Sequence, residues 1–442
     1  MAFLHPLSCE CANSELDLFA LPPTQTSVLS GQWVEYQPLS AISTGPIEFN
    51  ISGSGDDYLD FSHTWLHLVT KVTKSDGGDL APDAEVAPEN NWFHSLFSQI
   101  DVSLNDTLVS TSNNTYPYRA YIENLLTFGN DAKKSQLTSE FFYSDTVNKF
   151  DVEPNAGGLA ENPGMATRKN FAANSSVIEM IGRLHLDIFN QPKLMLNNVD
   201  VKLRLNRSKD TFNLHYSPEN AGFLTKISEA TLYVRKVKVN PKVSMAHIKA
   251  LEHGNAKYPV RRVETKTFSV PAGDLDARHP NLFLGQRPKR LVVGIVDNDA
   301  LNGSSLKSPF NFKNYKMNFV AVKVDGVQVP TKAYTPNFDN KGGCIRSYLS
   351  LFNDTGKLGL DVGNGISRSD YVGDGYALHV FDLTPDMNCE SGQLSLREKG
   401  TVGLEIHFAQ ALPNTVNVVV YSEFDNLIEI DRNRRVIFDY AS

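Results

Sequence analysis

The chain has 442 residues, of which 41% are hydrophobic and 21% charged, a composition typical of soluble globular proteins and a length that predicts two domains. Its formal net charge is −8 and its positive residues are scattered, which argues against a nucleic-acid-binding surface because phosphate recognition needs a basic stripe or arm. No apolar run approaches the ~20 residues that a membrane span requires.

The first residues contain neither a basic segment nor a long apolar segment, so we expect no secretory signal and a protein that is not secreted. Cys9 and Cys11 lie in a polar N-terminal tail, whereas Cys344 and Cys389 are isolated. This spacing indicates neither a disulfide framework nor a structural zinc site, and it assigns no role to Cys9 and Cys11.

Residues 1–44 are interrupted by prolines and predict an extended N-terminal arm. Within the arm, Leu16, Leu18 and Phe19 are apolar residues among acidic ones. Two interpretations stay open. The segment is either an anchor on the chain's own domain or a peptide that docks on a neighbouring subunit or an inner partner.

Residues 45–240 predict a first antiparallel sandwich, because short alternating segments follow one another between turn signals. The predicted strands cover 47–51, 58–72, 97–104, 183–189, 199–205 and 230–239. A polar insertion at 130–173 is expected to be a surface loop. A linker at 241–256, with a short helical phrase before Gly254, ends this domain.

Residues 257–442 predict a second sandwich, with strands at 258–270, 290–296, 312–324, 376–383, 402–408, 416–421 and 427–430. Its middle repeats an earlier pattern. In both halves an alternating strand leads to a short turn, Asn105-Asp106 or Asp325-Gly326, and then to a short helix. The pairs Arg119 with Tyr121 and Arg346 with Tyr348 mark these two structural helices. The chain is therefore interpreted as one domain plan used twice.

The sequence offers no phosphate-binding loop, nucleophile elbow or zinc-protease helix, so we expect no catalytic, cofactor-binding or metal-binding residues. Glu405 and His407 share one face of a strand and could act as ligands or as an acid/base pair, but a structural pair at a subunit contact is favoured. The acidic groups 297–299 and 370–374 lack full calcium-ligand spacing and are interpreted as turns.

Segments 91–105, 116–123 and 281–294 closely resemble the hexon-like major capsid protein of Polinton elements and adintoviruses. The resemblance extends over nearly the whole chain. It implies a double jelly roll, two tandem eight-stranded antiparallel sandwiches with short helices in connecting loops. It also implies a homotrimer, a pseudo-hexagonal capsomer that tiles an icosahedral shell.

The resemblance further implies a structural protein of the virion capsid, without enzymatic activity, that assembles in the host cytoplasm or nucleus and contacts penton or minor capsid proteins. It leaves a membrane contact unknown. The alternative from the residues alone is a two-sandwich carbohydrate- or peptide-binding protein of host origin. A third reading is an enzyme with a cupin-like metal site at Glu405 and His407.

Overall fold

The computed structural model describes residues 5–42, 45–53, 55–111, 113–217, 222–340 and 342–438. The first half is built on strands β1 (Val28–Tyr36), β2 (Ile47–Ile51), β3 (Asp57–Lys74), β4 (Val86–Pro88), β5 (Phe97–Leu104), β6 (Thr107–Leu108), β7 (Ile178–Gly182), β8 (Val201–Arg207), β9 (Leu214–Tyr216) and β10 (Phe223–Val239). Two four-stranded antiparallel sheets result, in the orders β1-β10-β3-β7 and β2-β8-β5-β6, and β4 pairs with β9 in a small separate ribbon.

The second half contains β11 (Ala256–Val270), β12 (Asp276–Gln286), β13 (Arg290–Asp297), β14 (Met317–Val324), β15 (Val327–Tyr334), β16 (His379–Asp382), β17 (Lys399–Phe408), β18 (Val416–Ile430) and β19 (Val436–Phe438). Its sheets have the orders β11-β18-β13-β16 and β12-β17-β14-β15, with β19 added beside β18. Counting the eight sandwich strands of each half from its start, both halves show the same orders, 1-8-3-6 and 2-7-4-5. This is the double jelly roll, and the predicted fold class is confirmed.

The repeated hairpins occupy the same place in both rolls. Leu104 pairs with Thr107 across Asn105-Asp106, and Val324 pairs with Val327 across Asp325-Gly326. All four turn residues have positive φ, between 45° and 83°, which is the requirement of a two-residue type I′ hairpin. The predicted repetition of this unit is therefore confirmed in topology and in turn geometry.

The strands form where apolar residues alternate. In β8, Val201, Leu203 and Leu205 point into the core of the first roll while the residues between them are exposed. β13 differs because every one of its residues is buried. Its sheet packs on both faces, with the core of the second roll on one side and an apolar cluster at the junction of the rolls on the other.

The helices are short and lie in connections between strands. They are α1 (Trp92–Ser95), α2 (Tyr116–Thr127), α3 (Asn130–Lys134), α4 (Ala156–Glu161), α5 (Pro163–Ala172), α6 (Asp210–Asn213), α7 (Pro241–Leu251), α8 (Asn298–Asn302), α9 (Ile345–Asn353) and α10 (Arg368–Val372). Short 3-10 turns add Ser14–Leu16, Gln136–Glu140, Ala173–Ser175 and Asp187–Asn190. Among the residues that the structure describes, no helix is both long enough and apolar enough to cross a bilayer.

Several boundaries differ from expectation. Val28–Tyr36, expected within the arm of residues 1–44, is the edge strand β1 of the first roll and pairs with β10. The sequence does not predict this strand, because it contains Ser, Gly and Gln and has an exposed face. Its hydrogen bonds are made with a strand about 200 residues away. The division into 45–240, 241–256 and 257–442 otherwise stays a prediction, with α7 occupying most of the linker.

Segment 183–189 was expected to be a strand, and this is wrong. Leu184 and Leu186 are buried in alternation with half-buried neighbours, as predicted, but Asp187 and Phe189 are buried as well as Ile188. The segment has no ladder and ends in a 3-10 turn, while β7 precedes it. Alternation reports which side chains are buried and not which backbone groups are paired. Similarly, 416–421 and 427–430 are parts of the single strand β18.

The insertion at 130–173 is not a loop on the surface. It contains α3, α4 and α5 and buries Phe142, Phe150 and Arg168. Asn155 and Asn162 cap α4 and α5 by accepting hydrogen bonds from backbone N–H groups. These helices are short and weakly amphipathic, so tertiary packing stabilises them, and the sequence pattern alone did not predict them.

Candidate functional site: the roll junction and the arm

Helix α2, which carries Arg119 and Tyr121, lies between the two rolls. Pro117 opens its first turn, and all of its residues except Glu123 and Thr127 are buried. An isolated helix of this length is marginal in water, so it depends on packing on both sides. The helix therefore joins the rolls instead of decorating one of them.

The apolar part of the junction is aromatic. The ring of Tyr121 stacks on Phe310 of the second roll, with centroids 4.3 Å apart and planes 7° from parallel. Tyr118 makes edge contacts with Phe310 and Phe312. Stacked aromatic pairs add about 0.5–1.5 kcal/mol beyond the area they bury. The hydroxyl of Tyr121 has no hydrogen-bond partner in the part of the chain that the structure describes.

A buried ion-pair network begins at Arg119. Its guanidinium contacts Glu123 at 2.9 Å and Asp187 at 2.8 Å. Glu123 also lies 2.5 Å from the Nδ1 atom of His185 and 3.1 Å from the hydroxyl of Tyr421 on the second roll. The backbone N–H of Val263, in β11, donates to Asp187.

The second roll continues this network. The hydroxyl of Tyr421 lies 2.8 Å from Glu423, and Arg290 contacts both Glu423, at 2.5 Å, and Glu390. Arg261 contacts Glu390 at 2.9 Å. Each of these carboxylates pairs with an arginine of its own roll, and the neutral hydroxyl of Tyr421 lies between Glu123 of one roll and Glu423 of the other.

The electrostatics follow from this pairing. Burial opposes ionisation of Glu123, but Arg119 and His185 outweigh it and lower the pKa of that carboxyl to about 2. Burial likewise opposes the charge on Arg119, and Glu123 and Asp187 raise its pKa. At Asp187 burial dominates and raises the pKa despite Arg119. Arg119 and Glu123 are therefore charged in the folded protein.

The insertion makes a second connection between the rolls. Arg168 contacts Asp145 at 2.8 Å, both buried, and Asp151 accepts hydrogen bonds from Ser308 and Asn311 of the second roll. The hydroxyl of Tyr376, in the second roll, donates to the carbonyl of Asp145. The insertion therefore binds the chain's own second roll.

A cavity of about 850 Å³ lies beside α2 and the charged network, and residues of both rolls line it. Its lining mixes apolar side chains of α2 with the charges of the network, including Arg119, Glu140, His185, Arg290 and Glu390. Because Arg119, Arg290 and Glu390 each contact a charge of opposite sign, the cavity has no single-sign surface.

Helix α9 carries the counterparts of Arg119 and Tyr121, and its surroundings are different. Arg346 is exposed and donates to the backbone carbonyls of Lys332 and Ala333, with its guanidinium 5.6 Å from the ring centroid of Tyr334. Tyr348 is half-buried, and its hydroxyl donates to the carbonyl of Ile366. The buried face of α9 contains Ser347, Ser350 and Leu351, and it packs on β16 of its own roll and reaches the junction cluster through Leu351.

The predicted docking residues of the arm are exposed: Leu16 by 73%, Leu18 by 76% and Phe19 by 97%. In the single chain they do not pack on the chain's own domain, and docking on a neighbouring subunit or an inner partner stays a prediction. Cys9 and Cys11 are exposed as well. Near the place where the arm joins β1, an apolar groove of about 720 Å³ lies between the first roll and α7.

The other sites weighed from the sequence are structural in character. Glu405 and His407 do share a face and lie 3.1 Å apart, but Glu405 is also paired with Lys323 and Arg278. Asp297 caps α8 and contacts Lys307. Asp370 completes a capping box with Ser367 at α10.

The sequence pattern does not predict the most densely charged part of the junction. It places Glu123 in a helix, His185, Asp187 and Arg290 in strands, and Glu423 between two predicted strands. The one signal for a buried charge network in the sequence is a charged residue among apolar ones, such as Arg119 and Glu123 within α2. Sequence alone cannot distinguish a buried ion pair from a solvated one, because the partner residue is not known.

No protein-family model matches the chain. A curated relative, the uncharacterized protein F54H12.2 of Caenorhabditis elegans, is 27% identical over 432 residues, which are 95% of this chain and 99% of that protein.

Among solved structures, the chain is similar to VP54 of PBCV-1, with a TM-score of 0.60, 10% identity and coverage of 96% of this chain and 100% of that one. It is similar to a chain of the Sputnik virophage, with a TM-score of 0.62, 12% identity and coverage of 98% and 94%. It is also similar to the mavirus major capsid protein, with a TM-score of 0.51, 11% identity and coverage of 99% and 95%. At these identities the likenesses establish the fold alone.

Proposed function

We propose that this chain is a major capsid protein, a structural subunit that trimerises into pseudo-hexagonal capsomers of an icosahedral shell. The observation that carries the proposal is the pair of jelly rolls with identical strand order, spanning almost the whole chain. Three such chains around a three-fold axis present six similar blocks, and repeated contacts of one kind close a symmetric shell. We further place it in a Polinton or adintovirus-like lineage, on the sequence resemblance given above.

The junction supports this role mechanically. A capsid subunit must keep its two jelly rolls in a fixed orientation. Here α2, the insertion and the paired charges connect the rolls at several points. An assembly subunit also needs a means to join copies, and the arm supplies exposed apolar residues for it.

The groove beside α7 is the proposed docking site for Leu16, Leu18 and Phe19 of a neighbouring copy. It is lined by Val28, Leu194, Leu196, Val239, Val243 and Leu251, which match these apolar side chains. Lys193 and Lys257 border it, whereas Glu15 and Asp17 flank the docking residues. The apolar surface and the opposite charges both favour this occupant.

The remaining partners are proposed from the resemblance to capsid proteins and from the net charge of the chain. Penton or minor capsid proteins would contact the trimer edges, and the acidic balance leaves genome binding to other proteins. Assembly would take place in the cytoplasm or nucleus of the host, and the finished location is the virion capsid.

The mass of the purified full chain in solution tests the proposal. Light scattering after size-exclusion chromatography is expected to give about three times the 49.0 kDa chain mass, and electron microscopy a particle with pseudo-hexagonal outline. A stable monomer at concentrations up to ~100 µM would contradict the proposal, because obligate interfaces hold at far lower concentrations.

Charge substitution in the arm tests the docking step. Leu18→Asp with Phe19→Asp is expected to reduce trimer yield by about tenfold or more, because both side chains would lose an apolar contact. Leu7→Asp is the control, since it changes another exposed apolar residue outside the docking segment. Equal trimer yields from the two variants would remove the arm from the proposal.

The second candidate is a carbohydrate- or peptide-binding protein, and the cavity at the junction is the observation in its favour. A monomer whose thermal midpoint rises with a glycan or peptide ligand would support it in place of a capsid role.

A further inference from the structure

Two histidines and a glutamate meet beside the junction cavity. The Nε2 atom of His94 lies 3.1 Å from an Oε2 atom of Glu140, and the rings of His94 and His185 meet edge to face with centroids 4.7 Å apart. One ligand atom from each of the three residues lies within 4.8 Å of the others. The residues come from α1, from the 3-10 turn of the insertion and from the segment after β7, so sequence spacing could not predict the group.

The donor types and the separations suit a zinc-class ion. Zinc bonds to histidine nitrogen and carboxylate oxygen at ~2.0–2.2 Å, and tetrahedral geometry then puts two donors ~3.3 Å apart. The His94–Glu140 distance already fits. The third donor, from the half-buried His185 at the edge of the cavity, lies within 4.8 Å of the other two and would move closer when the ion binds.

The second nitrogen of each ring is engaged in the way that metal-binding histidines require. The Nδ1 atom of His185 lies 2.5 Å from Glu123, and the Nδ1 atom of His94 lies 2.9 Å from the hydroxyl of Tyr116. With Nδ1–H directed to these oxygens, both Nε2 lone pairs are available for a metal ion. A carboxylate behind a ligand histidine orients its ring and increases its basicity.

Gly182 leaves room for the carboxylate ligand, because a Cβ atom at this position would lie 2.6 Å from the Cγ atom of Glu140.

We propose that His94, Glu140 and His185 bind one zinc-class divalent ion, whose fourth position faces the cavity between the rolls. The ion would tie the insertion to the first roll at the place where Glu123 continues into the junction network. Its role is structural, and the proposal does not depend on the capsid function.

The test uses the full chain without an affinity tag, carrying Cys9→Ser and Cys11→Ser, because the exposed thiols could themselves bind zinc. After treatment with a chelator, titration with Zn²⁺ alone is expected to give one equivalent bound and a higher thermal midpoint. Titration with Co²⁺ alone is expected to produce visible d–d absorption bands of a four-coordinate site. A parent chain that binds neither ion overturns the proposal.

Two ligand variants assign the site. His185→Gln and Glu140→Gln keep side-chain size and are each expected to weaken Zn²⁺ binding by about 100-fold or more. His407→Gln, which removes a histidine bonded to a glutamate in the second roll, is the control and should bind as the parent does. The thermal midpoint of each metal-free variant shows whether it folds. One folded variant is enough to test whether the residue binds zinc. Unchanged zinc affinity in a folded variant would show that the group is only a hydrogen-bonded cluster.

Discussion

Helices α2 and α9 occupy the same position in the two rolls, each between the fifth and sixth sandwich strands, and each contains arginine two residues before tyrosine. In α2, Arg119 and Tyr121 are buried between the rolls, whereas in α9, Arg346 is exposed and Tyr348 is half-buried. A repeated local sequence therefore does not imply a repeated environment. The tandem arrangement buries α2 on nearly all sides between the rolls, whereas α9 reaches the junction cluster with one face.

The corresponding sheets of the two rolls also differ in how completely their outer faces are covered. The sheet of β13 and β18 is buried on both faces, because α2 and the insertion cover the face opposite the core of its own roll. The corresponding sheet of the first roll shows alternation in β10 and leaves Trp33 of β1 half exposed. One roll has thus gained a second core from its partner, and the other keeps an open face.

Charge placed in each helix gives the largest expected contrast. Tyr121→Asp puts an unpaired carboxylate into the aromatic stack and should lower the free energy of unfolding by about 4–5 kcal/mol or prevent folding. Tyr348→Asp should cost about 1–2 kcal/mol, because its side chain reaches solvent. Urea denaturation compares the two variants.

Tyr121→Phe is the control for size. It keeps the stack on Phe310 and removes a hydroxyl with no partner among the described residues, so its stability should lie within about 1 kcal/mol of the parent. Equal losses from Tyr121→Asp and Tyr348→Asp would show that the two helices are equivalent after all.

Replacing the arginine of each helix with an uncharged residue compares the buried charge of α2 with the exposed charge of α9. Arg119→Met leaves Glu123 and Asp187 without their partner and should destabilise the chain by about 3–5 kcal/mol. Arg346→Met removes exposed hydrogen bonds to carbonyl groups and should cost less than about 1 kcal/mol. Thermal unfolding of both variants at one pH measures the difference, and a loss at Arg346 as large as that at Arg119 would contradict it.

Acid should weaken the junction at α2 specifically. Because pairing lowers the folded-state pKa of Glu123 from 4.5 to about 2, its stabilisation is complete above pH 4.5 and is lost as the pH falls toward 2. The shift corresponds to about 3 kcal/mol. Urea unfolding at several pH values between these limits is the measurement.

The carboxyl of Asp187 has a raised pKa and contributes with the opposite sign, so the pH dependence of the parent must be compared with that of Glu123→Gln. The variant should lose about 3 kcal/mol less than the parent between pH 4.5 and 2, because other carboxyls with lowered pKa values, such as Glu390, titrate in both chains. If parent and variant show the same slope in that window, Glu123 is not the titrating group.

The sequence by itself determined the class of the fold. Alternation in segments such as 47–51 and 199–205 locates strands, and the turns Asn105-Asp106 and Asp325-Gly326 reveal the repeat, because hairpin geometry and face selection depend on neighbours in the chain. The R-x-Y helices were also found where the structure has them.

Only the tertiary structure decided which copy of each feature is buried. The contact of Tyr121 with Phe310 joins residues 189 positions apart, and the ion pairs of Arg119 and the grouping of His94, Glu140 and His185 likewise join different segments of the chain. Edge strand β1 depends on β10 in the same way. The energy of a buried charge or of an unpaired strand edge depends on what lies opposite, and a local pattern contains no information about that partner.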